Sequence, residues 1–162
     1  MKKLLVLLVC LCACIATSYA QKGESALGFN LNYGNDTNIG LGVKYRYGLT
    51  EHIRIEPAFN YYFKHDYTSM WDLNANFHYL FPVAESVTLY PLAGVGYANA
   101  TAHLKDIDSS LENVSDGKIA INLGGGADFK VSSSVILNLE VKYQIIDGFN
   151  QLVLGAGVAF TF

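Results

Sequence analysis

The chain has 162 residues, enough for one domain, and 51% of them are hydrophobic while only 15% are charged, against about 25% charged in ordinary soluble proteins. A net charge of −3, or −5 without Lys2 and Lys3, argues against nucleic acid as a partner. Beyond residues 1–20 no apolar run reaches the ~20 residues that a membrane helix needs. The composition therefore leaves a soluble β-protein with a large core or a membrane barrel, and eleven Tyr, nine Phe and fifteen Gly favour β-structure with close backbone packing.

Lys2 and Lys3, the apolar run Leu4 to Ala16 and the small residues of Ser18-Tyr19-Ala20 form the three-part layout of a secretory signal peptide, cut after Ala20. Lipoprotein processing at Cys14, after the poor lipobox Leu11-Cys12-Ala13-Cys14, is the rival reading. Cys10, Cys12 and Cys14 are the only cysteines. A chain trimmed to 21–162 then has no disulfide, thiolate metal site or cysteine nucleophile, and those residues form a single domain.

Eight stretches of period two follow, each with one apolar face. In Ser25 to Tyr33 the residues Leu27, Phe29, Leu31 and Tyr33 oppose Ala26, Gly28, Asn30 and Asn32. Ile39 to Tyr47 sets Leu41, Val43 and Tyr45 against Gly40, Gly42, Lys44 and Arg46. Ile53 to Phe63 sets Ile55, Phe59 and Tyr61 against Arg54, Glu56 and Asn60. Trp71 to Phe81 sets Leu73, Ala75 and Phe77 against Asp72, Asn74, Asn76 and His78. Pro82 to Ser86 is expected to turn, and Val87 to Tyr97 sets Leu89 and Val95 against Thr88, Tyr90, Gly94 and Gly96. A long loop is expected over Ala98 to Gly117. Lys118 to Lys130, Val135 to Ile145 and Gln151 to Phe162 complete the set, the last ending on alternating Val158, Phe160 and Phe162. Pro57 and Pro91 fall mid-strand on the apolar face, where each is expected to cause a bulge or a missing ladder hydrogen bond.

The apolar face must turn outward, for three reasons. The polar face is rich in Gly, Ala and Asn, which suits the narrow lumen of an eight-stranded barrel rather than a wetted surface. Its charges are balanced: Lys44, Arg46, Arg54, Lys130 and Lys142 are expected to meet Glu56, Asp72, Asp128 and Glu140, since an unpaired buried ion costs several kcal/mol. The aromatics of the apolar face segregate by height, with Tyr33, Tyr61, Phe63, Trp71, Tyr97 and Tyr143 at one end and Tyr45, Tyr47, Tyr79, Phe81, Phe129, Phe160 and Phe162 at the other. Two girdles around an apolar band fit a bilayer. The fold expected is all-β, an eight-stranded antiparallel up-and-down transmembrane β-barrel.

The terminal Val158-Ala159-Phe160-Thr161-Phe162, the stretch Leu89-Tyr90-Pro91-Leu92-Ala93-Gly94-Val95-Gly96-Tyr97 and the eight-strand spacing together resemble small bacterial outer-membrane β-barrels of the OmpX/OmpA-transmembrane type, often called porin-family. The resemblance implies a Gram-negative outer-membrane location, contact with outer-membrane lipid and lipopolysaccharide, and recognition of Phe162 by the barrel assembly machinery. It implies a structural or surface-interaction role through the extracellular loops, with loop 98–117 as the possible contact for a surface ligand. A narrow or gated solute channel is the alternative, and a rim-located enzyme a lesser one. It transfers no functional residue, and no peptidoglycan-binding domain is expected.

Few residue groupings in the chain point to chemistry. Asp106-Ile107-Asp108-Ser109-Ser110-Leu111-Glu112 has Leu111 and Gly117 where a calcium loop needs Gly and Glu, so it is read as a solvated acidic loop. His65, Asp66 and Ser69, with His103 and Ser109 or Ser110, could compose a hydrolase-like group, but such residues are ordinary in polar loops. His78 is read as a structural hydrogen-bonder, and Gly124-Gly125-Gly126 as a close strand approach rather than a phosphate loop. No catalytic, cofactor-binding or metal-binding residue is therefore assigned, no cofactor is expected, and the chain is read as a non-enzyme.

Overall fold

The computed structural model describes residues 23–65, 67–104 and 112–162. The expected signal peptide with its cysteines, Asp66, and the acidic stretch up to Leu111 lie outside the described residues. Alternation of side chains builds β1 (Ser25–Gly34), β2 (Asn38–Gly48), β3 (Ile53–His65), β4 (Thr68–Tyr79), β5 (Phe81–Ala84), β6 (Val87–Ala102), β7 (Val114–Lys130), β8 (Val135–Ile146) and β9 (Phe149–Thr161). Neighbours pair antiparallel, β1 pairs β9, and β4 pairs β6, so the sheet closes on itself. Because β4 and β5 lie against β6 in one register, the nine segments amount to eight barrel strands among the described residues.

Paired residues can be followed round the sheet from Gly34 through Val153, Lys142, Gly124, Leu92, His78, Arg54 and Gly48. The path returns to β1 at Glu24, ten residues below its start. That stagger tilts the strands, and with eight of them it leaves a lumen that side chains can fill. Closure also satisfies the backbone groups that hydrocarbon would otherwise strand.

Exposure settles the facing: Leu31 is 54% exposed while its neighbour Asn32 is 5% exposed. Leu, Val, Ile and aromatic side chains cover the outside, and the Asn, Asp, Glu, Arg and Lys positions fill the inside. The aromatics form belts at the two ends. Trp71 lies 5.7 Å from Tyr97 and 6.1 Å from Phe59 at the upper end, and Tyr79 lies 4.7 Å from Phe81 at the lower, between ring centroids.

Two expectations need correction. Pro82 to Ser86 is not wholly a turn, since Phe81–Ala84 forms β5. The expected loop 98–117 is largely strand: β6 and β7 continue to the pair Ala102↔Val114. The upper ladder is long because Asn99, Thr101 and Ser115 can pair as strand residues in water as well as at the membrane boundary. The prolines do cost ladder steps, but without a slip in register. Opposite Pro57, the β2–β3 pairing is interrupted between Lys44↔Ala58 and Tyr47↔Ile55. Opposite Pro91, pairing with β6 stops at His78↔Leu92 and resumes at Phe81↔Leu89, which is what separates β4 from β5. Each proline lacks one N–H, so one neighbour loses a partner while the other ladder runs on through Pro57↔Ala75 and Pro91↔Gly125.

Candidate functional site: a filled lumen below an upper rim

Alternation sends every second residue inward, and three layers result. The lower layer is ionic. Arg46 Nε donates to Glu56 Oε2 at 2.7 Å, Arg46 Nη1 reaches Asp128 Oδ1 at 3.2 Å, and Arg54 Nη1 reaches Asp128 Oδ2 at 2.7 Å. Lys44 Nζ lies 3.7 Å from Glu56 and 3.8 Å from Glu140. Arg54 also donates through Nε and Nη2 to His78 Nδ1, at 3.2 and 2.9 Å. A guanidinium can only donate, so Nδ1 accepts and the ring hydrogen sits on Nε2. His78 is the structural hydrogen-bonder expected of it.

Glu56, His78 and Glu140 could offer three ligand atoms within 4.8 Å of one another. The donor set does not suit a cation, because His78 Nε2 carries its hydrogen and Glu56 already faces Arg46 and Lys44. It is an ion-pair network.

Above it lies an amide layer. Asp72 accepts from Asn60 Nδ2 and Asn74 Nδ2, both at 2.6 Å, and from Gln144 Nε2 at 3.3 Å. Asn122 Nδ2 donates to Asn74 and Asn76, and Gln151 to Gln144 at 2.6 Å. Asp72 is thus held by neutral donors rather than by the cation expected for it. Lys142 departs likewise: it is 4% exposed, and among the described residues no carboxylate lies within 4.0 Å of it. Lys130 is exposed at the lower mouth.

An apolar cap closes the top, with Tyr62, Met70, Ala98, Ala120 and Ile146 buried together against Ala100 and Phe149. Sequence reading missed this cap, although its signal is visible where the inward positions change from Asn and Asp to Tyr62, Met70 and Ile146. At the bottom, a cavity of about 90 Å³ reaches up to Arg46, Arg54 and Asp128 from a mouth that includes Lys130. The glycine run is the close approach expected. A Cβ on Gly126 would stand 2.5 Å from Tyr90 Oη and 2.6 Å from the Leu139 carbonyl oxygen.

At the upper rim, Ser69 Oγ and His103 Nε2 lie 2.8 Å apart, across the β4–β6 pairing. Two of the loop residues singled out in sequence therefore meet. The His65 side chain, Asp66, Ser109 and Ser110 lie outside what is described. Beyond the rim, β7 loses one neighbour. Its ladder with β8 ends at Ala120↔Ile146, while that with β6 continues to Val114. Among the described residues Val114 to Ile119 therefore carries an open edge, crossed by the Lys118 Nζ–Asp147 Oδ2 contact at 3.5 Å.

A closed, outward-apolar barrel with aromatic belts and a filled lumen defines an integral membrane β-barrel. Residues 5–162 match the model of the outer membrane protein beta-barrel domain, and the chain belongs to that family. This puts it in the bacterial outer membrane. No curated protein sequence matches the chain. Among solved structures it is similar to the N-terminal β-barrel domain of Pseudomonas aeruginosa OprF, at 17% identity and TM-score 0.70, over 87% of this chain and 98% of that one. It is similar to Neisserial surface protein A at 14% identity and TM-score 0.68, covering 90% and 100%. Ail, the attachment invasion locus protein of Yersinia pestis, matches at 18% identity and TM-score 0.61, covering 88% and 100%. At these identities the likeness is one of fold.

Proposed function

We propose that this protein is a sealed barrel whose role is surface interaction, with the open β7 edge, Val114 to Ile119, as the contact. The observation that supports this is the unequal ladder: β7 pairs with β6 six residues further than with β8. Unpaired N–H and C=O groups on such an edge are a template for an extended segment of another protein. The upper end carries Asp36, Glu112, Asp116 and Asp147 beside Lys64 and Lys118, so its charge suits a strand-forming protein partner better than a polyanion. The channel reading is weakened by the ionic and amide layers and by the apolar cap, which occupy the lumen among the described residues.

The test replaces residues 100–116 with Asn-Gly, a two-residue turn that joins the paired Asn99 and Gly117. Wild type and variant, folded in vesicles, are compared for adherence to immobilised extracellular-matrix proteins and for single-channel conductance. Adherence that the replacement removes, without conductance steps, upholds the reading. Stable conductance steps in the wild type, with adherence unchanged by the replacement, put the channel in its place.

A further inference from the structure

We propose that Ser69 and His103 form a nucleophile–base pair acting on the fatty-acyl ester of a membrane lipid. The proposal goes beyond surface interaction and stands or falls separately. Ser69 Oγ lies 2.8 Å from His103 Nε2, within the reach that activation of a serine requires. The pair is held from both strands. Ser69 is placed by the β4–β6 ladder opposite Thr101, and the His103 backbone N–H donates to the Tyr67 carbonyl at 2.6 Å. Tyr67 has φ of +66°, the one non-glycine residue with positive φ among the described residues. A backbone held in that region at the residue that positions the base is the kind of strain that gathers at working sites.

Location supplies the substrate class. Ser69 and Trp71 point to the same side of β4, two residues or about 6.6 Å apart, and Trp71 packs on Tyr97 in the upper belt. Such belts sit at the level of lipid headgroups, and the ester bonds of acyl chains lie at that depth. The same outer face carries a run of hydroxyl and amide groups that a headgroup could use. Thr101 Oγ1 lies 2.9 Å from Ser115 Oγ, which donates to Asn99 Oδ1 at 2.8 Å. Ser69 is only 9% exposed and His103 half-buried, so the pair is partly screened from bulk water.

In the tautomer with hydrogen on Nδ1, His103 Nε2 takes the proton of Ser69 as Oγ bonds to the ester carbonyl carbon. Collapse of the tetrahedral adduct breaks the carbon–oxygen ester bond. The lipid alcohol departs with the proton returned by His103. Water, deprotonated by the same Nε2, then attacks the acyl carbon and breaks its bond to Ser69 Oγ, which takes the proton back from His103, and the products are a fatty acid and a deacylated lipid. No oxidant, reductant or metal is consumed.

The test uses the full chain folded in vesicles of phosphatidylethanolamine and phosphatidylglycerol, with and without lipopolysaccharide, and a fluorophosphonate probe. The folded protein is expected to be labelled at Ser69. Ser69→Ala should abolish labelling, and His103→Gln should slow it about 100-fold or more, the scale of general-base assistance. Both variants should keep the boil-dependent electrophoretic shift of a folded barrel. Fatty acid released from the plain vesicles identifies a glycerophospholipid, and release only with lipopolysaccharide identifies its acyl esters. Heat-modifiable wild type that is neither labelled at Ser69 nor releases more fatty acid than Ser69→Ala in either vesicle overturns the proposal. The adherence assay would be unaffected by that failure.

Discussion

The Tyr90 ring lies face to face with the His78 imidazole, centroids 4.5 Å apart and planes 10° from parallel, while the Arg54 guanidinium carbon stands 4.9 Å from the Tyr90 centroid. Tyr90 Oη donates to Glu140 at 3.2 Å and accepts from Asn138 at the same distance. One side chain therefore ties the ionic layer to β8. Tyr90→Phe should cost about 1–2 kcal/mol by leaving Asn138 and Glu140 short of a partner. Tyr90→Ala should cost about 3–5 kcal/mol, the further loss being the emptied volume. Urea unfolding from vesicles, read by the fluorescence of Trp71, the only tryptophan, measures both.

Two buried lysines should behave in opposite ways. Lys44→Met removes a cation that faces Glu56 and Glu140, and it should destabilise by about 3 kcal/mol because a buried carboxylate loses its partner. Lys142→Met removes a cation with no carboxylate within 4.0 Å among the described residues and should be neutral or stabilising. Equal losses in the same unfolding assay would contradict the assignment of Lys142 as unpaired.

Gly126→Ala should destabilise by about 1–3 kcal/mol. The new methyl would meet Tyr90 Oη and the Leu139 carbonyl. The hydroxyl can swing aside, but the carbonyl belongs to a laddered strand. A double variant, Gly126→Ala with Tyr90→Phe, should recover only part of the loss, and the shortfall measures the backbone share.

Val141 lies midway along β8 on the outer face, 45% exposed, and Val131 sits in the turn before it at 57%. Exposure alone does not distinguish them, but depth does. Val141→Arg should cost about 2–4 kcal/mol in a bilayer and Val131→Arg about 0–1 kcal/mol. In detergent micelles, whose apolar layer deforms, the difference should shrink.

What the sequence determined by itself was the barrel. A period-two pattern must put Leu31 and Asn32 on opposite faces, and the smallness of Gly40, Gly42, Gly94 and Gly96 already favoured a lumen over a wetted surface. Strand count, facing, both aromatic belts and the ladder cost of Pro57 and Pro91 follow from such local rules. Partnership across the lumen does not, because it depends on which strands the ten-residue stagger brings level. Charge counting could pair Lys142 with Asp72 on paper. The closed barrel instead gives Asp72 to Asn60, Asn74 and Gln144, and leaves Lys142 buried with no carboxylate beside it among the described residues. The length of the upper hairpin was also a tertiary decision. Thr101 and Ser115 carry no apolar alternation, yet they pair because the strands beneath them are already aligned. The meeting of Ser69 with His103, 34 residues apart, rests on the same alignment, for a ladder fixed lower down by buried side chains sets the register of every residue above it.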